Sequence, residues 1–276
     1  MGTKHISHSQ LSMYEKCPRQ WAFRYVEGII RPPGIAAHSG RGVHRAREIN
    51  LRSKVQNDGE MLSEEETAQV AADEVRAAVD EIGLMLESEE DREKGPKKVI
   101  GEGIDKAVRL STFDLAECLP AIEPLVIDGT PRIEYKFELE APDLGVDIVG
   151  FIDLQRVEDG RVIVTDTKTK AKSPSAGEAD ESQQLTLYAM AVEVIDGAMP
   201  DAVELDFLVD TKTPKNVTQT STRDDTDAEI LWARMVATLN AMKAGHDGPA
   251  PTGSWWCSEK WCGYHDLCPF VRSGKR

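Results

Sequence analysis

Two aspartates and a lysine fall in a stretch that reads as a β-hairpin. Residues 146–157 and 161–168 are rich in apolar and β-branched side chains, and Glu158-Asp159-Gly160-Arg161 joins them. Asp-Gly between two such runs signals a tight turn. With Asp159 and Gly160 at its centre, Glu158 opposes Arg161, and continuing the ladder sets Asp153 opposite Asp166. Opposed residues in such a ladder stand about 5 Å apart at Cβ. Two ionised carboxylates that close repel unless a cation lies between them. A hard ion such as Mg2+ accepts carboxylate oxygens while keeping some of its waters. Lys168 lies two residues beyond Asp166 and so shares its sheet face. A lysine there can orient an attacking water or stabilise charge on a phosphate, and the metal can acidify water and act as a Lewis acid. The set suits metal-assisted phosphodiester hydrolysis. Taken alone, the same residues also read as ordinary charges on a solvated hairpin, and a bulge or a longer turn would break the register.

Other polar residues are candidates for the same site. Glu134 lies on the preceding strand and faces either the metal or water. His44 follows Gly40-Arg-Gly, where small residues permit close backbone approach, and a neutral imidazole can ligate a metal. Gln184 and Tyr188 are four apart on a helix and share a face. They read either as support for the substrate and hairpin or as a surface pair. Lys170 and Lys172 extend the basic character beyond Lys168 and are weaker candidates for phosphate contact.

The five cysteines are Cys17, Cys118, Cys257, Cys262 and Cys268. They are too sparse for a disulfide scaffold, and an odd count leaves one over. The last three form C-x4-C-x5-C, which offers three thiolates where a tetrahedral metal site wants four ligands. His265 can replace a sulfur in a zinc site. Cys118 sits in an apolar helix and reads as an ordinary core cysteine.

The elements that must position these groups follow from periodicity. Short helices are expected from Ser9 to Lys16, capped by Ser7 or Ser9, and again after Pro18. A helix introduced by Gly40, Gly42 and His44 runs to about Ser53. Helical spacing continues from Ser63 to Glu90 and from Lys106 to Cys118. Ile133–Leu139 alternates apolar and charged residues, as a half-buried strand does. Ala179–Ile195 reads as helix, Ala202–Leu208 as strand and Asp225–Met242 as a long amphipathic helix.

The net charge of −15 argues against a general nucleic-acid coating protein, but its distribution is uneven. Residues 19–54 carry eight Lys/Arg against two Asp/Glu, whereas residues 58–93 carry two against fourteen. The basic stretch can meet phosphates, and the acidic one reads as a solvated helical face. No apolar run approaches a membrane span and the N-terminus lacks a signal-peptide core, so a cytoplasmic protein with no membrane partner is expected.

In order and spacing, these motifs resemble the PD-(D/E)XK nuclease superfamily, and within it the RecB-like and Cas4-like exonucleases, phage-encoded members included. Gly40-Arg-Gly-Val-His44 resembles the motif before the core, and Gly150-Phe-Ile-Asp153 the first core aspartate. Asp166-Thr-Lys168 resembles the acidic-x-lysine motif, with Asp where many members have Glu, and Gln184-Leu-Thr-Leu-Tyr188 the later Gln-x-x-x-Tyr motif. The resemblance implies an α/β fold: a restriction-endonuclease-like core with a mixed central sheet, a helical N-terminal insertion and an iron–sulfur clasp joining the termini. It implies one nuclease domain over residues 1–276, with an insertion at 55–125, a catalytic sheet and helix core at 126–212, and a cysteine-rich tail at 252–276. His44, Asp153, Asp166 and the Thr167 carbonyl would hold Mg2+ or Mn2+, with Glu134 as an additional acid. Lys168 would be the catalytic lysine, and Gln184 and Tyr188 would support the site. Cys17 would join Cys257, Cys262 and Cys268 around a 4Fe–4S cluster, with zinc as the alternative, and Trp255, Trp256 and Trp261 would pack around it. The activity implied is metal-dependent hydrolysis at DNA ends in recombination, replication or repair, with a recombination or replication protein as a further partner. An inactive DNA-binding subunit and a Cas4-like spacer-processing nuclease are the alternatives.

Overall fold

The computed structural model describes residues 5–271, so the last five residues of the cysteine-rich tail lie outside the described chain. It opens with β1 (His5–Ile6), α1 (His8–Lys16) and α2 (Pro18–Tyr25). Ser7 caps α1, accepting from the Gln10 amide, and Cys17 ends α1 and begins α2 with Pro18 in the first turn. Then come α3 (Ile35–Gln56), α4 (Glu64–Ile82), α5 (Glu89–Lys94) and α6 (Pro96–Glu117).

These helices differ from the expected ones for local reasons. α3 starts at Ile35, so Gly40, Gly42 and His44 lie inside it rather than before it. Gly42 is there for packing: a Cβ would come within 2.7 Å of the Ala71 carbonyl and 2.8 Å of Val75 on α4. The run expected from Ser63 to Glu90 breaks at Gly83, whose φ of +86° ends α4. Ser63 and Ser88 each start a new helix with a reciprocal capping box. α6 begins ten residues before the expected Lys106 because Pro96 suits a first helical turn.

The sheet follows a small hairpin of β2 (Val126–Ile127) and β3 (Thr130–Pro131). Its strands are β4 (Ile133–Leu139), β5 (Asp147–Glu158), β6 (Arg161–Lys170), β7 (Ala202–Val209) and β8 (Lys215–Ser221). Helix α7 (Gln183–Asp196) joins β6 to β7, and α8 (Asp225–Lys243) follows β8. The order is β1-β5-β6-β7-β8, with β4 on the other edge of β5. The pairs β1–β5 and β6–β7 are parallel and the others antiparallel, which makes the sheet mixed. A parallel β6–β7 pair needs a crossover, and α7 supplies it.

Every residue of β7 is buried because both sheet faces are covered. One core cluster joins the sheet to α1, α2, α7 and α8, and a second joins α3, α4 and α6 to Leu208. The polar, Thr-containing strand β8 escaped the periodicity analysis because an edge strand exposed along much of its length carries no apolar alternation. Among the described residues, no helix is long and apolar enough to cross a membrane.

Candidate metal centre

The β5–β6 turn takes the expected form. Asp159 and Gly160 have φ of +50° and +76°, and Glu158 pairs with Arg161. The ladder then stops one step short of the expected Asp153–Asp166 pair, after Leu154 and Thr165. Beyond this point β5 and β6 part, and β1 pairs with the far end of β5. On the opposite edge of β5, Ile133 pairs with Leu154 and Tyr135 with Ile152, while Glu134 drops out of the ladder at φ +44°. Asp153 therefore sits where both ladders are interrupted. A non-glycine residue at positive φ costs of order 1–3 kcal/mol, and such strain collects at functional sites.

Into this fork α3 lowers His44. One ring nitrogen, Nδ1, lies 3.4 Å from Glu134 and 3.5 Å from Asp153. The other, Nε2, lies 3.0 Å from the Thr167 carbonyl. His44, Glu134 and Asp153 bring donor atoms within 4.8 Å of one another, a grouping able to hold a metal ion. Glu134, the additional acid of the sequence reading, is thus inside the triad, and Asp166 stands beside it. Asp153 also accepts from the Thr167 amide at 2.9 Å.

Asp166 is fully buried, and Lys168 Nζ faces it at 2.8 Å. That ammonium also donates to Gln184 Oε1 at 2.9 Å, and Gln184 Nε2 donates to Tyr188 Oη at 2.7 Å. The helical pair is thereby joined to the lysine and is not a surface pair. Lys170 is turned aside, donating to Glu178 at 2.7 Å, and Lys172 is exposed.

The electrostatics ask for a cation. Burial, with Asp153 beside it, pushes the Asp166 carboxyl up to about 6. Burial also raises Asp153, against the pull of His44. Burial alone would lower His44, but Asp153, Glu134 and Asp166 outweigh it and push the imidazole up to about 9. Burial and the nearby Asp166 and Asp153 raise the Tyr188 phenol, which stays protonated. Apart from Lys168, no described side chain satisfies the Asp166 oxygens. Clustered carboxylates, an imidazole and a carbonyl form a donor set suited to a hard divalent ion.

The sequence matches the PD-(D/E)XK nuclease superfamily over residues 5–269. The chain belongs to that superfamily. No curated protein matches it. A solved structure from Eubacterium rectale, provisionally described as an exonuclease, is similar in fold with a TM-score of 0.55. The two share 9% identity, and the match covers 99% of this chain and 91% of that one. The crystal structure of SSO0001 aligns with a TM-score of 0.42 at 15% identity, covering 98% of this chain and 87% of that one. For a PD-(D/E)XK protein, the fork and its His–Glu–Asp triad fit a metal-dependent nuclease centre.

Two further groups at the centre belong to no motif of the sequence. Arg47, one turn past His44, is buried and meets Asp206 of β7 at 2.6 Å. Asp206 pairs with Thr167, so this ion pair bolts α3 over β7, beside the strand that carries Asp166 and Lys168. Its only sequence signal is an arginine on the inward face of α3, which cannot be separated from a solvated one without the fold. The other is His8, at the start of α1. Burial, then the nearby charge of Lys168, lowers its imidazole to about 4.

The cysteines form a separate region. Cys17, Cys257, Cys262 and Cys268 line one small cavity with Phe23, Tyr264 and His265. Phe23 stacks on Tyr264 at 5.3 Å, and Tyr264 Oη donates to the Ile29 carbonyl at 2.9 Å. Trp255 and Trp261 are 66% and 51% exposed and stand edge-on to each other, and Trp256 stands edge-on to Trp255. Cys118 lies elsewhere, at the end of α6, where burial and then Asp114 raise its thiol well above the ordinary range.

Proposed function

We propose that this chain is a metal-dependent deoxyribonuclease that hydrolyses phosphodiester bonds at DNA ends, in recombination, replication or repair. The observation that carries the reading is the convergence of His44, Glu134 and Asp153 beside the Asp166–Lys168 pair. His44, Glu134, Asp153, Asp166 and the Thr167 carbonyl would hold Mg2+ or Mn2+. The ion would acidify water and polarise the phosphate. Lys168 positions the attacking water or meets charge on the phosphate, and Gln184, braced by Tyr188, holds the ammonium in place. The reading treats residues 1–276 as one nuclease domain with a helical insertion at 55–125 and a catalytic core at 126–212.

The tail at 252–276 belongs to the same reading as a clasp, with Cys17, Cys257, Cys262 and Cys268 holding a 4Fe–4S cluster. Their shared cavity supports it. Zinc, which also accepts four thiolates, is the alternative occupant.

The test is an anaerobic assay on end-labelled single- and double-stranded DNA with Mg2+ or Mn2+. Asp153→Ala and Lys168→Ala should each reduce cleavage by about a thousandfold or more, equivalent to about 4 kcal/mol in the barrier. Activity that survives both changes rejects the site. Binding without cleavage by the wild-type protein under every metal condition would mark a DNA-binding subunit instead.

A further inference from the structure

The metal centre opens into a cavity of about 550 Å³, lined by His44, Glu134, Thr167 and Lys168 and, from α3, by Arg41 and Arg45. Neither arginine holds the triad. They are four apart on α3 and so share a helical face. Their side chains are 44% and 47% exposed. Among the described residues, each is met only by carboxylates. Arg41 donates through Nε and Nη2 to Glu74 Oε1 at 3.1 and 2.8 Å and lies 3.6 Å from Glu81. Arg45 donates to Glu48 at 2.8 Å.

Half-exposed pairs of this kind are weak and exchange readily with other anions. A phosphate offers a guanidinium the same two-oxygen fork as a carboxylate. The chain carries a net charge of −15, so a DNA strand approaching the site needs local cations.

We propose that Arg41 and Arg45 bind backbone phosphates of the substrate strand beside the one that meets the metal. Glu74 of α4 holds Arg41 in place until a phosphate displaces it. The inference rests on the nuclease reading of the site and names its substrate-binding residues.

The test uses the full chain carrying Lys168→Ala, so that the strand stays intact, with a fluorescent single-stranded oligonucleotide in Mg2+ and anisotropy followed across a salt series. Each phosphate contact to a single strand contributes about 0.7 to the slope of log affinity against log salt. Arg41→Ala and Arg45→Ala should each flatten the slope by about that amount. Each should also weaken low-salt binding roughly tenfold, equally for unrelated sequences. Arg41→Lys and Arg45→Lys should keep the slope, which separates lost charge from lost fold. Glu74→Gln should act in the opposite direction, tightening binding about two- to fivefold.

Unchanged slopes in both alanine variants overturn the inference. If the wild-type protein still cleaves DNA in that case, only the arginine assignment falls. If it neither binds nor cleaves, the nuclease reading falls with it.

Discussion

The fork and the cysteine-lined end of this protein are built by opposite means. At the fork, strands β4, β5 and β6 and helices α3 and α7 each supply a side chain, and the sheet hydrogen bonds around it fix every position. The site can therefore hold buried like charges and a strained Glu134. At the other end, the stretch from Cys257 to Cys268 has no regular element beyond a short 3-10 turn at His265–Leu267. What ties it and the neighbouring Trp256 to α1, α2 and the chain after α2 is a stacked ring pair, the Arg31–Asp266 ion pair at 2.7 Å and a few hydrogen bonds, among them Trp256 Nε1 to the Lys16 carbonyl at 3.3 Å. Regular structure can sustain an unfavourable charge arrangement, whereas irregular chain needs an added cross-link to stay put.

The sharpest way to break this contrast is to disable each region separately. On the proposed 4Fe–4S reading, Cys262→Ser should lower the melting midpoint by about 10 °C or more and reduce bound iron. A cross-link over a loop this long contributes roughly 5 kcal/mol, and a chain of this size shifts about 2–4 °C per kcal/mol. Chelation of the divalent ion should remove activity and leave iron content intact. A Cys262→Ser protein with wild-type melting and full activity would remove the cluster from the account.

A second prediction concerns pH and only the fork. The Asp166 carboxyl is raised from 3.8 to about 6, so the folded chain holds a proton there that the unfolded chain has released. Its stabilising contribution is complete below pH 3.8 and is lost as pH rises through about 6. His44, raised from 6.5 to about 9, contributes fully below 6.5 and loses that contribution as pH rises through about 9. Both slopes have the same sign. Without divalent ions, stability from the fork should decline between pH 5 and 9, and Mg2+ or Mn2+ should offset the decline. The difference in melting midpoint between wild type and Asp166→Asn isolates the carboxylate. Wild type should fall below Asp166→Asn as pH rises from about 4 to 6, and a gap that instead widens as pH falls through that window would contradict the assignment.

The smallest effect tests the strain. Glu134→Gly and Glu134→Ala both remove a metal donor and should weaken Mn2+ binding equally by calorimetry. The glycine variant should be more stable than the alanine one by about 1 kcal/mol, because only glycine adopts positive φ freely. Equal stability would show that the φ of +44° at Glu134 is not strained.

Most of the framework was legible in the sequence because it is local. Asp159-Gly160 dictated the hairpin turn, alternation marked β4 at its observed bounds, and Ser7 and Pro18 set the starts of α1 and α2. The period-two rule placed Lys168 with Asp166, and the four-residue helical spacing placed Gln184 with Tyr188. What the sequence could not decide is where a ladder ends. Ladder pairing depends on strands distant in sequence: β6 leaves β5 after Leu154, and β1 pairs only with the far end of β5, at Asp147 and Ile148. The fork this leaves, together with the break in β4 at Glu134, brings Glu134 into the triad with Asp166 beside it. The packing of α3 across the sheet, fixed by the buried Arg47–Asp206 pair, then decided that His44 would face those carboxylates.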